Sequence, residues 1–117
     1  MGFLNKLFGN KKEVTPIAAE HAVIIHFTYG IQGLDLLNQL EEKLENVIAT
    51  NKLGEYDGHE IAVDYSDGFL YMYGPNAEIL FKGIQSTLNS FDFMKGASVK
   101  LRFGPPEDGV KELDVTI

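Results

Sequence analysis

Three features of this 117-residue chain predict an α+β sandwich, with two helices laid on one face of an antiparallel sheet. Two segments carry apolar residues at helical spacing, five alternate as strands do, and the two kinds interleave as βαββαββ. Turn residues punctuate every junction, so each segment is short enough to belong to one compact domain.

The first strand is AVIIHFTY, Ala22 to Tyr29, where Val23, Ile25, Phe27 and Tyr29 share one face and Ile24, His26 and Thr28 the other. After the Gly30 to Gly33 punctuation, Leu34, Leu37, Leu40, Leu44, Val47 and Ile48 recur at helical spacing, with Gly54 as the expected C-cap. Glu41, Glu42 and Glu45 are expected on the solvent side of that helix. Two strand-like runs follow, His59 to Tyr65 and Phe69 to Tyr73, joined through Ser66, Asp67 and Gly68 as a hairpin. Its register has two solutions. A two-residue Asp-Gly turn sets Ser66 opposite Phe69, Asp64 opposite Tyr71 and Val63 opposite Met72, with the aromatic residues on the open face. A three-residue turn pairs Tyr65 with Phe69 and sends them to the core.

Gly74 and Pro75 open the second helix, with Ala77, Leu80, Phe81, Ile84 and Leu88 as its apolar stripe. Gly83 within it marks either a close backbone contact or an untuned position. The last hairpin turns at GPPEDG; Ala97, Val99, Leu101 and Phe103 alternate inward, as do Leu113, Val115 and Ile117. Setting Leu101 opposite Leu113 aligns Val99 with Val115 and Ala97 with Ile117 as a buried ladder. The outer face then pairs Arg102 with Glu112, Lys100 with Asp114 and Ser98 with Thr116. The right-handed crossover rule turns this order into a split βαβ sandwich of ferredoxin-like kind, βαββαβ plus one extra C-terminal strand, with strand order 5-4-1-3-2.

Residues 1–16 form a separate basic amphipathic tail, leaving 17–117 as the single domain. Phe3, Leu4, Leu7 and Phe8 fall on one helical face, ringed by Lys6, Lys11 and Lys12. Removing those three lysines from the ten basic residues leaves seven against 17 acidic ones, so residues 13–117 carry −10 while the whole chain carries −7. The tail has two readings: a frayed terminus that folds back onto its own domain, or a short helix that docks on a partner or on a membrane surface, contacting lipid through the same four apolar residues. It lacks the long apolar core of a signal peptide.

The chain has no cysteine, which removes disulfide frameworks, thiolate nucleophiles and cysteine-based zinc sites, and fits a reducing, cytoplasmic setting. Its acidity opposes any partner held by phosphate contacts, so no nucleic-acid partner is expected. No cofactor or metal is expected either.

Three functions suit this pattern. The first is a non-catalytic protein-interaction module, homodimeric through the open sheet face with Ile24, Ala62, Tyr71 and Tyr73, because apolar and tyrosine-rich faces tend to be covered. The second is a small enzyme or metal-dependent protein built on His26, His59, Glu60 and Asp64, residue types that serve general acid–base chemistry or bind a divalent cation. No HExxH, phosphate loop or Ser-His-Asp spacing accompanies them. The third is a single-stranded RNA binder, since DGFLYMY resembles the third-strand motif of RNA-recognition-motif domains, with Phe69, Tyr71 and Tyr73 at the stacking positions. The motif's basic residue before Gly68 is absent, and Leu70 replaces its small residue.

GEYDGHE, YGPNAEILFKGI and LRFGPPEDG together resemble a set of small bacterial proteins of ferredoxin-like fold, across about the last two thirds of the chain. That resemblance implies the fold. It reads Gly54, Asp57, Gly58, Gly74, Pro75, Gly104 and Pro105 as turn and cap residues and supplies no catalytic residue.

Overall fold

The structure, a computed structural model, describes residues 20–117. The expected tail, with Phe3, Leu4, Leu7 and Phe8, lies outside the described residues. Element order is β1 (His21–Thr28), α1 (Asp35–Thr50), β2 (Glu55–Ile61), β3 (Asp67–Gly74), α2 (Ala77–Asn89), a 3-10 turn (Asp92–Met94), β4 (Ser98–Arg102) and β5 (Glu112–Thr116). The strands form one sheet in the order β2-β3-β1-β4-β5, each antiparallel to its neighbours. Read from the β5 edge, this is 5-4-1-3-2. The molecule is thus α+β, with both helices packed on one side of a five-stranded antiparallel sheet.

Alternation decides which side. Val23, Ile25 and Phe27 of β1, Leu70 and Met72 of β3, and Val99 and Leu101 of β4 are buried against Leu37, Leu40, Leu44 and Ile48 of α1 and Leu80, Ile84 and Leu88 of α2. No polar or charged residue is fully buried among the described residues. At the start of α2, the Asn76 carboxamide accepts the Ile79 N–H at 3.0 Å, and the His21 imidazole Nδ1 accepts the Ala77 N–H at 3.0 Å. Two of the amide donors that a helix N-terminus leaves unpaired are thereby satisfied. A Cβ at Gly83 would lie 2.5 Å from a methyl of Leu53, so this helix meets the chain leaving α1 at close range.

Five expectations need correction. The strand assigned to His59–Tyr65 begins earlier, at Glu55, and ends at Ile61, with a bulge between Tyr56 and Gly58. Residues 62–66 are loop, because local bonds close a turn there: Tyr65 N–H donates to the Ala62 carbonyl, and the Asp64 carboxylate accepts the Ser66 N–H at 3.0 Å. Tyr65 takes a left-handed φ of 63° and Val63 stands fully exposed. Asp67 and Gly68 consequently sit in β3 rather than in the turn. Glu60 is opposite Phe69, Gly58 opposite Tyr71 and Glu55 opposite Tyr73, which replaces the expected partners while keeping the aromatic residues off the core.

The first helix is capped at Asn51, not Gly54. Gly54 serves a close approach instead: its φ is +143°, and a Cβ there would lie 2.0 Å from the Tyr73 carbonyl oxygen. In the last hairpin the register is the expected one throughout β4 and β5. Leu113, however, is 48% exposed, because the helices pack on β1 to β4 and leave the outer strand uncovered. Finally, Arg102 does not pair with the Glu112 carboxylate. Its Nε donates to the Gly104 carbonyl at 2.7 Å and its terminal nitrogen to the Glu20 carbonyl at 3.2 Å.

Candidate interaction face

The side of the sheet away from the helices is uncovered by any described element. Its middle is set by the register: Ile24 lies between Tyr71 and Lys100, His26 between Phe69 and Ser98, and Ala22 between Tyr73 and Arg102. Cross-strand neighbours on one face are close enough for rings to meet. The His26 and Phe69 rings stack at 4.5 Å between centroids and 15° between planes, and Phe69 and Tyr71 lie at 6.1 Å and 14°. A strip of parallel rings therefore crosses two central strands, with Ile24 and Tyr73 beside it. Tyr73 and Arg102 flank Ala22, which is fully buried although it belongs to the open face.

Polar bonds hold the strip in place. His26 Nε2 lies 2.7 Å from the Asp67 carboxylate, an exposed pair. The Tyr71 hydroxyl donates to Glu60 at 2.6 Å, which pushes its pKa up to about 12, the hydrogen bond to the carboxylate being the main cause and partial burial the next. Burial raises the Tyr73 phenol, helped by the charge of Asp57 and opposed by that of Arg102. Lys100 bonds to both carboxylates of β5, Asp114 at 3.2 Å and Glu112 at 3.4 Å, and these bonds raise its pKa. Between β1, β4 and β5 the face dips into a cleft of about 410 Å³ lined by Ile24, His26, Phe69, Lys100, Asp114 and Thr116.

Of the sequence-expected interaction residues, Ile24, Tyr71 and Tyr73 share this face, and Ala62 lies beyond the end of β2 in the loop. The expected chemical residues are dispersed. His26 is bonded to Asp67, Glu60 to Tyr71, and Asp64 caps its own loop, where hydrogen bonds from Ser66 lower its pKa. His59 is on the helix side, opposite Leu70, with Nδ1 2.7 Å from Glu41 Oε2. Among the described residues no group of three or more His, Asp or Glu side chains is arranged to hold a metal ion. Ser98 is the cross-strand neighbour of His26, yet no hydrogen bond joins the two among the described residues.

Sequence reasoning missed the Glu41 junction. The Tyr56 hydroxyl donates to the same Oε2 at 2.5 Å, so one carboxylate oxygen of α1 holds two side chains of β2. Burial, then this bond, then the charges of Glu41, Glu45 and Asp57 raise the Tyr56 phenol far above its ordinary value. Glu41 resembles Glu42 and Glu45 in the sequence; only the bulge at Tyr56–Gly58, which turns Tyr56 and His59 toward α1, distinguishes it. Asp67 was also missed as the partner of His26, because the Asp-Gly pair reads as a turn.

Compared with models of protein families, with curated proteins and with solved structures, the chain matches none of them. No helix among the described residues is long and apolar enough to cross a membrane.

Proposed function

We propose that this protein is a non-catalytic protein-interaction module, built on a ferredoxin-like split βαβ sandwich, that associates with a second copy through the open sheet face. The carrying observation is the strip of His26, Phe69 and Tyr71 rings with Ile24 and Tyr73 beside it, on a sheet side that no described element covers. Tyrosine and phenylalanine in such strips bring large contact area at little cost in side-chain entropy, which is why they are enriched in interfaces. Five strands about 4.8 Å apart and five to eight residues long give a face of roughly 20 by 20 Å, at the small end of the areas that hold stable complexes. Weak, concentration-dependent self-association is the expectation.

The same strip suits the stacking of nucleic-acid bases, but the cations that would carry phosphate contacts are occupied. Lys100 is held between two carboxylates and Arg102 by two backbone carbonyls. Glu55, Glu60, Asp67, Glu112 and Asp114 surround them on the same face. A protein surface is the better match.

Sedimentation equilibrium tests the reading. The wild type should shift from monomer toward dimer as concentration rises, and the Tyr71→Glu/Tyr73→Glu variant should remain monomeric with its cooperative melt retained. A variant that associates as the wild type does would remove the open face from the account.

A further inference from the structure

The sheet ends in two outer strands, and they differ. β2 is interrupted by the bulge between Tyr56 and Gly58, an irregularity of the kind that blunts a sheet edge. β5 runs regularly from Glu112 to Thr116, and no described element pairs with its outer side. Which of its backbone groups face outward follows from its bonds to the chain of β4. The Ile117 N–H donates to the Ala97 carbonyl and the Phe103 N–H to the Lys111 carbonyl, both at 2.9 Å, in the register that sets Leu101 opposite Leu113. Bonded pairs alternate with unbonded ones in an antiparallel ladder, so the odd-numbered residues of β5 bond inward, and Glu112, Asp114 and Thr116 turn their N–H and carbonyl groups away from the sheet.

The side chains add a pattern to that row. On the open side β5 carries Glu112 and Asp114, whose side chains are 44% and 77% exposed, with Lys100 as the cation shared between them. On the helix side it carries Leu113, half exposed, and Val115. Ile117 follows, where the surface hollows into a cleft of about 210 Å³ lined also by Asn89, Phe91, Asp92 and Lys95. A strand laid alongside β5 therefore meets carboxylates on one side of the sheet and, at the alternate positions, apolar groups on the other. A second copy does not fit there. Pairing β5 with itself along its whole length sets Asp114 opposite its own copy, and like charges directly opposite are destabilising.

We infer that the outer edge of β5 takes up an extended segment of another protein as a sixth, antiparallel strand, one in which Lys or Arg alternates with apolar residues. Its basic residues lie opposite Glu112, Asp114 and Thr116, where main-chain bonds form in both directions, and its apolar residues lie opposite Leu113, Val115 and Ile117. The ladder supplies affinity and the alternation supplies specificity, as strand addition does at other sheet edges. A face-to-face dimer leaves the outward bonds of β5 unused, so this site and the homodimer proposed above stand or fall separately.

The probe is a synthetic peptide, acetyl-Val-Lys-Val-Lys-Val-Lys-amide, titrated into the full-length protein and followed by amide NMR. Signals of Glu112, Asp114 and Thr116 should move most, and the peptide with glutamate in place of lysine should bind at least about ten times more weakly. Methylating the peptide's own amides distinguishes a ladder from charge attraction without altering the protein. In the antiparallel pair the lysine amides face β5 and the valine amides face away, so N-methylation at the lysines should weaken binding at least about tenfold and at the valines less than about twofold. Thr116→Pro removes one outward N–H while sparing the charges and the bonds to β4, and it should weaken binding relative to Thr116→Val. Its sedimentation should match that of the wild type. Equal loss from methylation at either set of residues would overturn the inference, as would shifts confined to Ile24, Phe69 and Tyr71 of the open face, or no binding by the lysine peptide. Loss of self-association in Thr116→Pro would place the second copy on this edge and overturn both readings.

Discussion

On the helix side of the sheet Tyr56 gives its hydroxyl to Glu41, and on the open side Tyr71 gives its own to Glu60. The bonds are chemically alike, and their surroundings give them different work. Glu41 belongs to α1 and also holds His59, in a junction that is partly buried, so the bond ties a helix to the sheet. Glu60 belongs to β2, next to the strand of Tyr71, and both groups reach water. That bond steadies a side chain and can be exchanged for a partner's. The helix side is assembled to be kept; the open side, on the function proposed above, is the one that is met.

Ile24 and Ile25 place the contrast in adjacent residues, one on each side of β1. Ile25→Ala should cost about 3–4 kcal/mol, the usual range for a fully buried aliphatic side chain, measured by urea unfolding of the monomer. Ile24→Ala should cost about 1 kcal/mol, in proportion to the smaller apolar area it takes from water, while weakening self-association. Similar losses at both positions would mean that the open side belongs to the core.

The Glu41 junction comes next in size. Tyr56→Phe should lower stability by about 1–2 kcal/mol at neutral pH, the worth of a partly buried hydrogen bond to a carboxylate. It should also change the alkaline limb. A phenol whose folded-state pKa is raised keeps its proton after the unfolded chain has lost it, so the stabilisation is whole below about pH 10 and declines as pH rises further. Melting curves between about pH 9 and 11 should therefore fall less steeply for Tyr56→Phe than for the wild type. Tyr71→Phe should alter that slope little, because its bond is exposed and screened.

These residues also show how far the fold could be read from the sequence. Strict alternation in β1 and β4 and helical spacing in α1 and α2 gave their elements and buried faces, because burial on one side leaves a periodic record in the residues. The 55–67 region left no such record. A bulge breaks the period of β2, and Asp64 closes a turn that composition alone assigns to Asp67 and Gly68. Two compensating differences then kept Phe69, Tyr71 and Tyr73 on the open side: an earlier strand and a longer loop. The open face was accordingly legible in its principal side chains and illegible in its bonds. Glu60–Tyr71, His26–Asp67 and the two backbone bonds of Arg102 depend on a register and on chain paths that one-dimensional pattern does not carry.

The smallest effect concerns Lys100. Replacing it by methionine removes a cation from between Asp114 and Glu112, and stability should change by less than about 1 kcal/mol, since exposed pairs of this kind contribute little. Self-association should weaken further, because the face becomes more acidic.

The central claim, that the open side of the sheet is where this protein meets its partner, is tested most directly by amide NMR spectra recorded across a dilution series. Signals of Ile24, His26, Phe69, Tyr71, Tyr73 and Lys100 should shift or broaden with increasing concentration, while those of α1 and the outer side of α2 remain constant. Concentration-dependent changes confined to the helices, or none on β1, β3 and β4 at any concentration, would contradict it.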